Sequence, residues 1–551
     1  MSRVELALPP DLERAVRVRL ARLDADGFAA RLERRDPTLW GDDPNRREVA
    51  TNRLGWLTVP ATMRAQTAAL RDFAGSVRSD GYTRAVLLGM GGSSLAPEVL
   101  RRVLGAAPGF LDLEVLDSTS PAAVNGMLEA GDPSSTLFVV SSKSGTTLEV
   151  SCFERVAWAW VEKARGTDAG RSFAAITDPG TPLEKLARDR GYRRVFANPP
   201  DIGGRYSALS LFGLVPAALI GADLDRLLDA ALTESRESGA EVGAEQHAAI
   251  RLGAALGEMA LAGRDKVTLV LASPFEPLGA WIEQLLAEST GKEGRGLVPV
   301  VDEPLAAPEA YGNDRTFVAV TGAGDPDVAR RMAALQAAGH PVISWSRREA
   351  LELGAEFMRW EKATAVAGAV LAIDPFDEPN VAEAKQATRT VLDQILRDGT
   401  PASLESGPTD PFSAAAAFSS RGHEGDYFAI LAYFHATPER TERLERLREL
   451  VRLHTGMATT LGFGPRYLHS TGQLHKGGPN RGVFLQLVGT EGDLEIPGEP
   501  YGFRTLLWAQ GLGDYKVLER HDRRALRLDL GADIERGLDA LLEAFSAARP
   551  A

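Results

Sequence analysis

The sequence predicts an α/β protein with two doubly wound parallel-sheet domains, a helical N-terminal segment before them and an extra C-terminal α/β region after them. Three observations lead there. The chain has 551 residues, 44% of them hydrophobic, which is too long for one core and suggests about three domains at roughly 150 residues each. From residue 84, short apolar runs ending in Gly, Ser, Asp or Pro alternate with helical patterns, as buried parallel strands do when helices separate them. A second such series begins at residue 266.

Residues 1–75 read as amphipathic helices, with DLERAVRVRLARLDADGFAARLERR as the main stretch. The first α/β domain, 76–240, takes its strands from 84-RAVLLGMGG, 111-LDLEVLDS, 136-TLFVVSSKSG, 172-SFAAITDP and 193-RRVFANPP. The second, 245–400, takes them from 266-KVTLVLASP, 316-TFVAVTG, 341-PVISWS and 369-AVLAIDPFDEP. The stretch 398-DGTPASLESGPTDP reads as a linker. The region 401–551 holds a strand-like run, 427-YFAILAYF, and a charged helix, 438-PERTERLERLRELVRL, whose charges read as a solvated face. Segments 268–299 and 428–465 share a strand, helix and Gly-rich loop layout, a weak duplication signal.

The net charge of −13 supplies no overall field toward nucleic acid or anionic membrane. A single cysteine, Cys152, excludes a disulfide framework and any zinc site built from several cysteines, and it reads as core. The N-terminal MSRVELALPPDLERAV carries no apolar signal region, and no apolar run is long enough to span a bilayer. The expectation is a soluble, cytoplasmic protein.

Two loops carry the chemistry. In 89-GMGGSS, adjacent glycines follow a strand and open a helix, so backbone N–H groups and the positive helix end can meet an anion. With Asp117 ending the next strand, this loop alone fits a dinucleotide site equally well. The second loop, 141-SSKSGTT, decides between them. It packs hydroxyls and Lys143 into seven residues after another strand, more than helix capping requires. Two anion-suited loops at neighbouring strand ends suggest one phosphate at the carboxyl edge of a parallel sheet.

The pair GMGGSS and SSKSGTT resembles a sugar isomerase (SIS) domain. The further runs 202-IGGRYSALS, 287-AESTGKEG, 376-FDEPNVAEAK and 467-YLHSTGQ narrow the resemblance to the glucose-6-phosphate isomerase family, over about residues 84–480. It is similar to the isomerase part of transaldolase/isomerase fusions, although no transaldolase barrel fits in this chain. The resemblance implies two SIS-like domains and interconversion of glucose 6-phosphate and fructose 6-phosphate through an enediolate. It assigns the phosphate clamp to Gly92, Ser93, Ser142, Ser144 and Thr147, with Lys143 contributing its backbone. Arg205 matches the arginine facing the enediolate, Glu288 the base and Gln284 a glutamine lining the site. His469 matches the ring-opening histidine and Lys385 the lysine closing the second signature. No metal and no cofactor are implied.

The physical chemistry suits these roles. One carboxylate can move a proton between adjacent carbons. A fixed cation such as Arg205, following two glycines, can meet an oxyanion. A neutral histidine with a lysine can open a ring near neutral pH. A metal pair of His469 and His475 lacks a third ligand cluster. The chain departs from the family twice. The second signature carries Glu378 for glutamine, Asn380 for glycine and Ala382 for glutamate, and a carboxylate at 378 would repel the substrate unless paired or protonated. The histidine follows both other motifs, which favours its acting in cis over a homodimer in which the partner supplies it. Rival readings are an isomerase for both glucose and mannose 6-phosphates, a non-catalytic sugar-phosphate-binding SIS protein, and a dinucleotide-dependent oxidoreductase.

Overall fold

The computed structural model describes residues 3–322, 326–398 and 410–548. A short strand, β1 (Glu5–Ala7), precedes helices that begin at Pro10. The first sheet then forms from β2 (Arg84–Leu88), β3 (Asp112–Leu116), β4 (Thr136–Ser141), β5 (Phe173–Thr177) and β6 (Arg194–Ala197). The second comprises β7 (Lys266–Leu271), β8 (Val298–Val300), β9 (Arg315–Thr321) and β10 (Val342–Ser346). The third comprises β11 (Tyr427–Tyr433), β12 (Ala458–Phe463), β13 (Gly482–Val488) and β14 (Arg524–Asp529). Residues buried on both faces of the inner strands β2, β4, β7, β9, β11 and β13 explain why these runs pair in parallel under helices, while the edge strands β6 and β14 are partly exposed.

The spatial orders are β3-β2-β4-β5-β6, β8-β7-β9-β10 and β12-β11-β13-β14. Each sheet therefore sets its second strand on one side of the first and its third on the other, with every one of these pairings parallel. The similarity between 268–299 and 428–465 is a shared topology, and the first sheet has it too. In such a sheet the crevice lies at the carboxyl ends of the first and third strands, where the connections diverge. Among the described strands, only β1, antiparallel to β10, departs from parallel pairing.

Several expectations change. The run at 369 is not a strand: it ends a helix, Leu353–Leu371, in which nearly every residue is buried. A helix covered on all sides loses its polar stripe and reads as an apolar run. β1 and β8, three residues each, are strands without a sequence signal. The charged helix Pro438–Thr455 is solvated along much of its length, but Arg448 is buried and donates to the carbonyls of Val301, Asp302 and Thr459 at 2.8–2.9 Å, joining the second and third sheets. Cys152 is buried in an apolar cluster. The linker expected over 398–411 lies almost wholly outside the described residues. Among the described residues, no helix is long and apolar enough to cross a membrane.

Candidate active site

The loops after β2 and β4 flank the crevice of the first sheet, and the Ser141 hydroxyl donates to the Ser93 carbonyl at 3.1 Å to tie them together. Gly92 sits where the first loop meets 202-IGGRYS. A Cβ there would lie 2.2 Å from the Gly204 carbonyl, so no side chain fits. Gly91, at φ +53°, leaves room for the His469 backbone and the Gln284 side chain, both about 3 Å from where its Cβ would be.

In the second loop the Ser142 and Thr147 hydroxyls pair at 3.1 Å, and those of Ser144 and Thr146 at 2.9 Å. The Lys143 ammonium is drawn away to Asp178 and the Pro200 carbonyl, leaving its backbone to the loop. Asp117, which a dinucleotide reading needs for a ribose, is buried against Ser94 (3.2 Å) and Arg466 (3.2 Å). That engagement disfavours the oxidoreductase reading.

Glu288 lies in the last turn of the helix Leu278–Thr290, and Gln284 one turn earlier. Gln284 Nε2 donates to Glu288 Oε2 at 3.1 Å and to the His469 carbonyl at 2.8 Å. Burial raises the Glu288 carboxyl above the usual carboxylate range; Arg205 opposes this and Glu378 reinforces it. Arg205 is almost fully buried. Its Nε donates to Ser289 Oγ at 2.8 Å, and Nη2 to the carbonyls of Pro375 and Asp377 at 2.8 and 2.9 Å. Its Nη1 lies 3.0 Å from Glu378 Oε2 and 3.8 Å from Glu288 Oε1. The departure at 378 is thus paired: burial works upward on the Glu378 carboxyl, but Arg205 holds it below its ordinary value.

Gln473, from 469-HSTGQ, binds the three late motifs together. It donates to the Gly291 carbonyl at 3.1 Å and to Asn380 Oδ1 at 2.8 Å, and accepts from the Asn380 N–H at 2.9 Å. The asparagine in place of glycine is therefore used. His469 Nε2 lies 3.2 Å from Glu149 Oε1. Glu149 also accepts from Gln510 Nε2 at 2.8 Å. Burial pushes the Glu149 carboxyl up, yet His469 and Lys385 bring it below its ordinary value. Lys385 shares a small cleft with Thr146, Glu149, His469 and Gln510. His475 instead packs among Tyr427, Tyr467 and Phe484, and burial lowers its pKa well below the usual histidine value. Among the described residues, no group of three or more His, Cys, Asp and Glu is placed to hold a metal.

One chain thus brings together the two loops, Arg205, Gln284, Glu288, Lys385 and His469. The sequence did not single out Glu149 and Gln510. An acid just inside a helix start, two residues after Thr147, looks like ordinary capping, and Gln510 is 41 residues beyond His469.

The family model for phosphoglucose isomerase matches residues 50–306. The glucose-6-phosphate isomerase of Rubrobacter xylanophilus is 31% identical over 399 residues, spanning 61% of this chain and 88% of that one. This chain belongs to the phosphoglucose isomerase family. The glucose-6-phosphate isomerase of Heliobacterium modesticaldum is 28% identical over 413 residues, 66% of this chain and 92% of that relative. Among solved structures, a hypothetical protein from Thermus thermophilus has a TM-score of 0.60 at 25% identity, with 70% of this chain and 100% of that one covered. A glucose-6-phosphate isomerase from Chlamydia trachomatis shares the fold, with a TM-score of 0.54 at 19% identity over 68% of this chain and 79% of that one. The stretch matched by the phosphoglucose isomerase model holds both loops, Arg205, Gln284 and Glu288, and ends before Lys385 and His469.

Proposed function

We propose that this protein interconverts glucose 6-phosphate and fructose 6-phosphate, with a complete site in each chain. The observation that carries the reading is the convergence of Glu288, Arg205 and the His469–Glu149 pair beside two hydroxyl-rich loops at one sheet crevice. The phosphate sits against Gly92, Ser93, Ser142, Ser144 and Thr147, with the Lys143 backbone, where hydroxyls and N–H groups converge. His469, held by Glu149, and Lys385 move protons at the ring oxygen and the C1 hydroxyl to open the ring. Glu288 then takes the proton from C2. The C2–H electrons form the C1=C2 bond, and the carbonyl π electrons move to O1, giving an enediolate opposite Arg205. Glu288 returns the proton to C1, which the C1=C2 electrons take up, while the O2–H electrons form the C2 carbonyl and the O2 proton passes to O1 to complete the C1 hydroxyl. Gln284 orients both Glu288 and the segment carrying His469.

His469 reaches Glu149 and Gln284 of its own chain, which supports action in cis. A coupled assay of purified protein with fructose 6-phosphate, read as glucose 6-phosphate formed, tests the function. Formation of glucose 6-phosphate is expected. Mannose 6-phosphate as the sole product would transfer the activity to the other epimer, and comparable formation of both would make the enzyme dual. Tight sugar-phosphate binding with no product would leave a binding protein.

A further inference from the structure

The third sheet has the same strand order as the first, so its crevice lies at the carboxyl ends of β11 and β13. A cavity of about 260 Å³ opens there, lined by Tyr433, Val488, Thr490, Trp508, Arg504 and Arg527 among others. None of the residues assigned to the isomerase site lines it.

Its most telling feature is Arg527. The side chain is nine-tenths buried, and its Nε has no hydrogen-bond partner among the described residues. Nη1 donates to Gln486 Oε1, a neutral amide, and the guanidinium lies 5.7 Å from the centroid of the Trp508 ring. Among the described residues no carboxylate reaches it at ion-pair distance; Asp529, Tyr433, Tyr467 and Tyr515 act on it only through the field, and burial works against its charge. Elsewhere in this protein buried arginines are matched to acids, as Arg315 is to Glu303 at 2.9 Å and Arg359 to Glu234 at 2.9 Å. An unmatched buried guanidinium is costly unless an anion completes it. The acid in the cavity wall, Glu491, is already committed to Arg440 at 3.1 Å, the Ser120 hydroxyl at 2.6 Å and the His435 N–H at 2.8 Å. Arg504, half-exposed at the rim, has among the described residues only Asp493 as an acidic partner, at 3.7 Å.

We propose that this crevice is a second ligand site, which takes a small oxyanion, phosphate monoester or carboxylate, carrying a flat apolar flank. Arg527 and Arg504 hold the oxyanion, and Trp508 and Tyr433 face the flank. The volume admits a molecule of about the substrate's size and is too small for a dinucleotide. The site is wired to the catalytic side chains. Gln486, held by Arg527, donates to the Gly511 carbonyl at 3.0 Å, and the adjacent Gln510 holds Glu149. The Tyr433 hydroxyl meets that of Tyr467 at 2.9 Å, two residues before His469.

Calorimetric titration of the full chain with phenyl phosphate tests this independently of turnover. Two sites per chain are expected: one weakened by Ser144→Ala with Thr147→Ala, the other weakened at least ~10-fold by Arg527→Met, the loss of one charged hydrogen bond or more. Arg504→Ser, a rim change that leaves the core intact, should weaken the same second site and spare the first. Methyl phosphate, lacking the flank, should bind the second site more weakly than phenyl phosphate, and benzoate reports whether a carboxylate suffices. A single site abolished by the loop variants would overturn the proposal. So would a second site indifferent to both Arg527→Met and Arg504→Ser.

Discussion

Glu378 is a carboxylate placed beside the proposed base, and Glu378→Gln restores the residue the resemblance leads one to expect there. Both acids approach the same Arg205 Nη1, at 3.0 and 3.8 Å, so their nearest oxygens are at most about 7 Å apart. At an effective dielectric of about 20, two unit charges at that distance repel by about 2.4 kcal/mol, or nearly two pH units on Glu288. The Glu378 side chain is 41% exposed, so solvent screening reduces this to about one unit. The sign follows from charge. Glu378 disfavours ionised Glu288, and its neutralisation lowers the Glu288 pKa. Releasing Arg205 acts in the same direction. Because the base works ionised, the acid limb of the kcat/KM–pH profile should move down by about one unit in Glu378→Gln. A coupled assay between pH 5 and 9 reads it. An acid limb that stays in place, or moves up, would refute the coupling and detach Glu288 from the pH dependence.

Ser144→Ala and Thr147→Ala should each weaken binding of substrate and of inorganic phosphate by roughly 10- to 150-fold, about 1.5–3 kcal/mol per lost charged hydrogen bond, as seen in inhibition constants. Mixing Glu288→Gln with His469→Ala under subunit exchange should stay inactive if histidine acts within its own chain; recovered activity would place it across an interface. Glu361 is fully buried, neither carboxylate oxygen has a hydrogen-bond partner among the described residues, and burial raises its pKa well above the usual value. The folded state therefore holds this proton to higher pH than the unfolded chain, which ionises near pH 4.3, so the group costs stability as pH rises above that value, at up to about 1.4 kcal/mol per unit. The melting-temperature difference of Glu361→Gln from the parent should therefore move in the variant's favour from pH 5 to 7.5, and a difference independent of pH would contradict this.

Much of this was legible because each feature is local. Short apolar runs closed by glycine, serine or proline mark β2, β4 and β7, and the paired loops after β2 and β4 point to a phosphate. The helix Leu353–Leu371 misled because burial on all sides removes the polar face that gives a helix its period. The Arg205–Glu378 pair was foreseeable only as a condition, since nothing in the order of residues shows that a loop 173 positions later folds back onto the arginine. Glu149, Gln510 and the unmatched Arg527 are visible only in three dimensions. Each is an ordinary residue on an ordinary helix or strand until its partners, or their absence, are in view.

The central claim is proton transfer by Glu288 through an enediolate, and isotope exchange tests it most directly. Fructose 6-phosphate incubated with the protein in deuterium oxide should yield glucose 6-phosphate carrying deuterium at C2, with exchange at C1 of the remaining ketose, both followed by proton NMR. Glu288→Gln should reduce exchange and turnover together, by at least about 10²–10⁴-fold, while still binding substrate. Exchange or turnover left undiminished in Glu288→Gln would contradict the account.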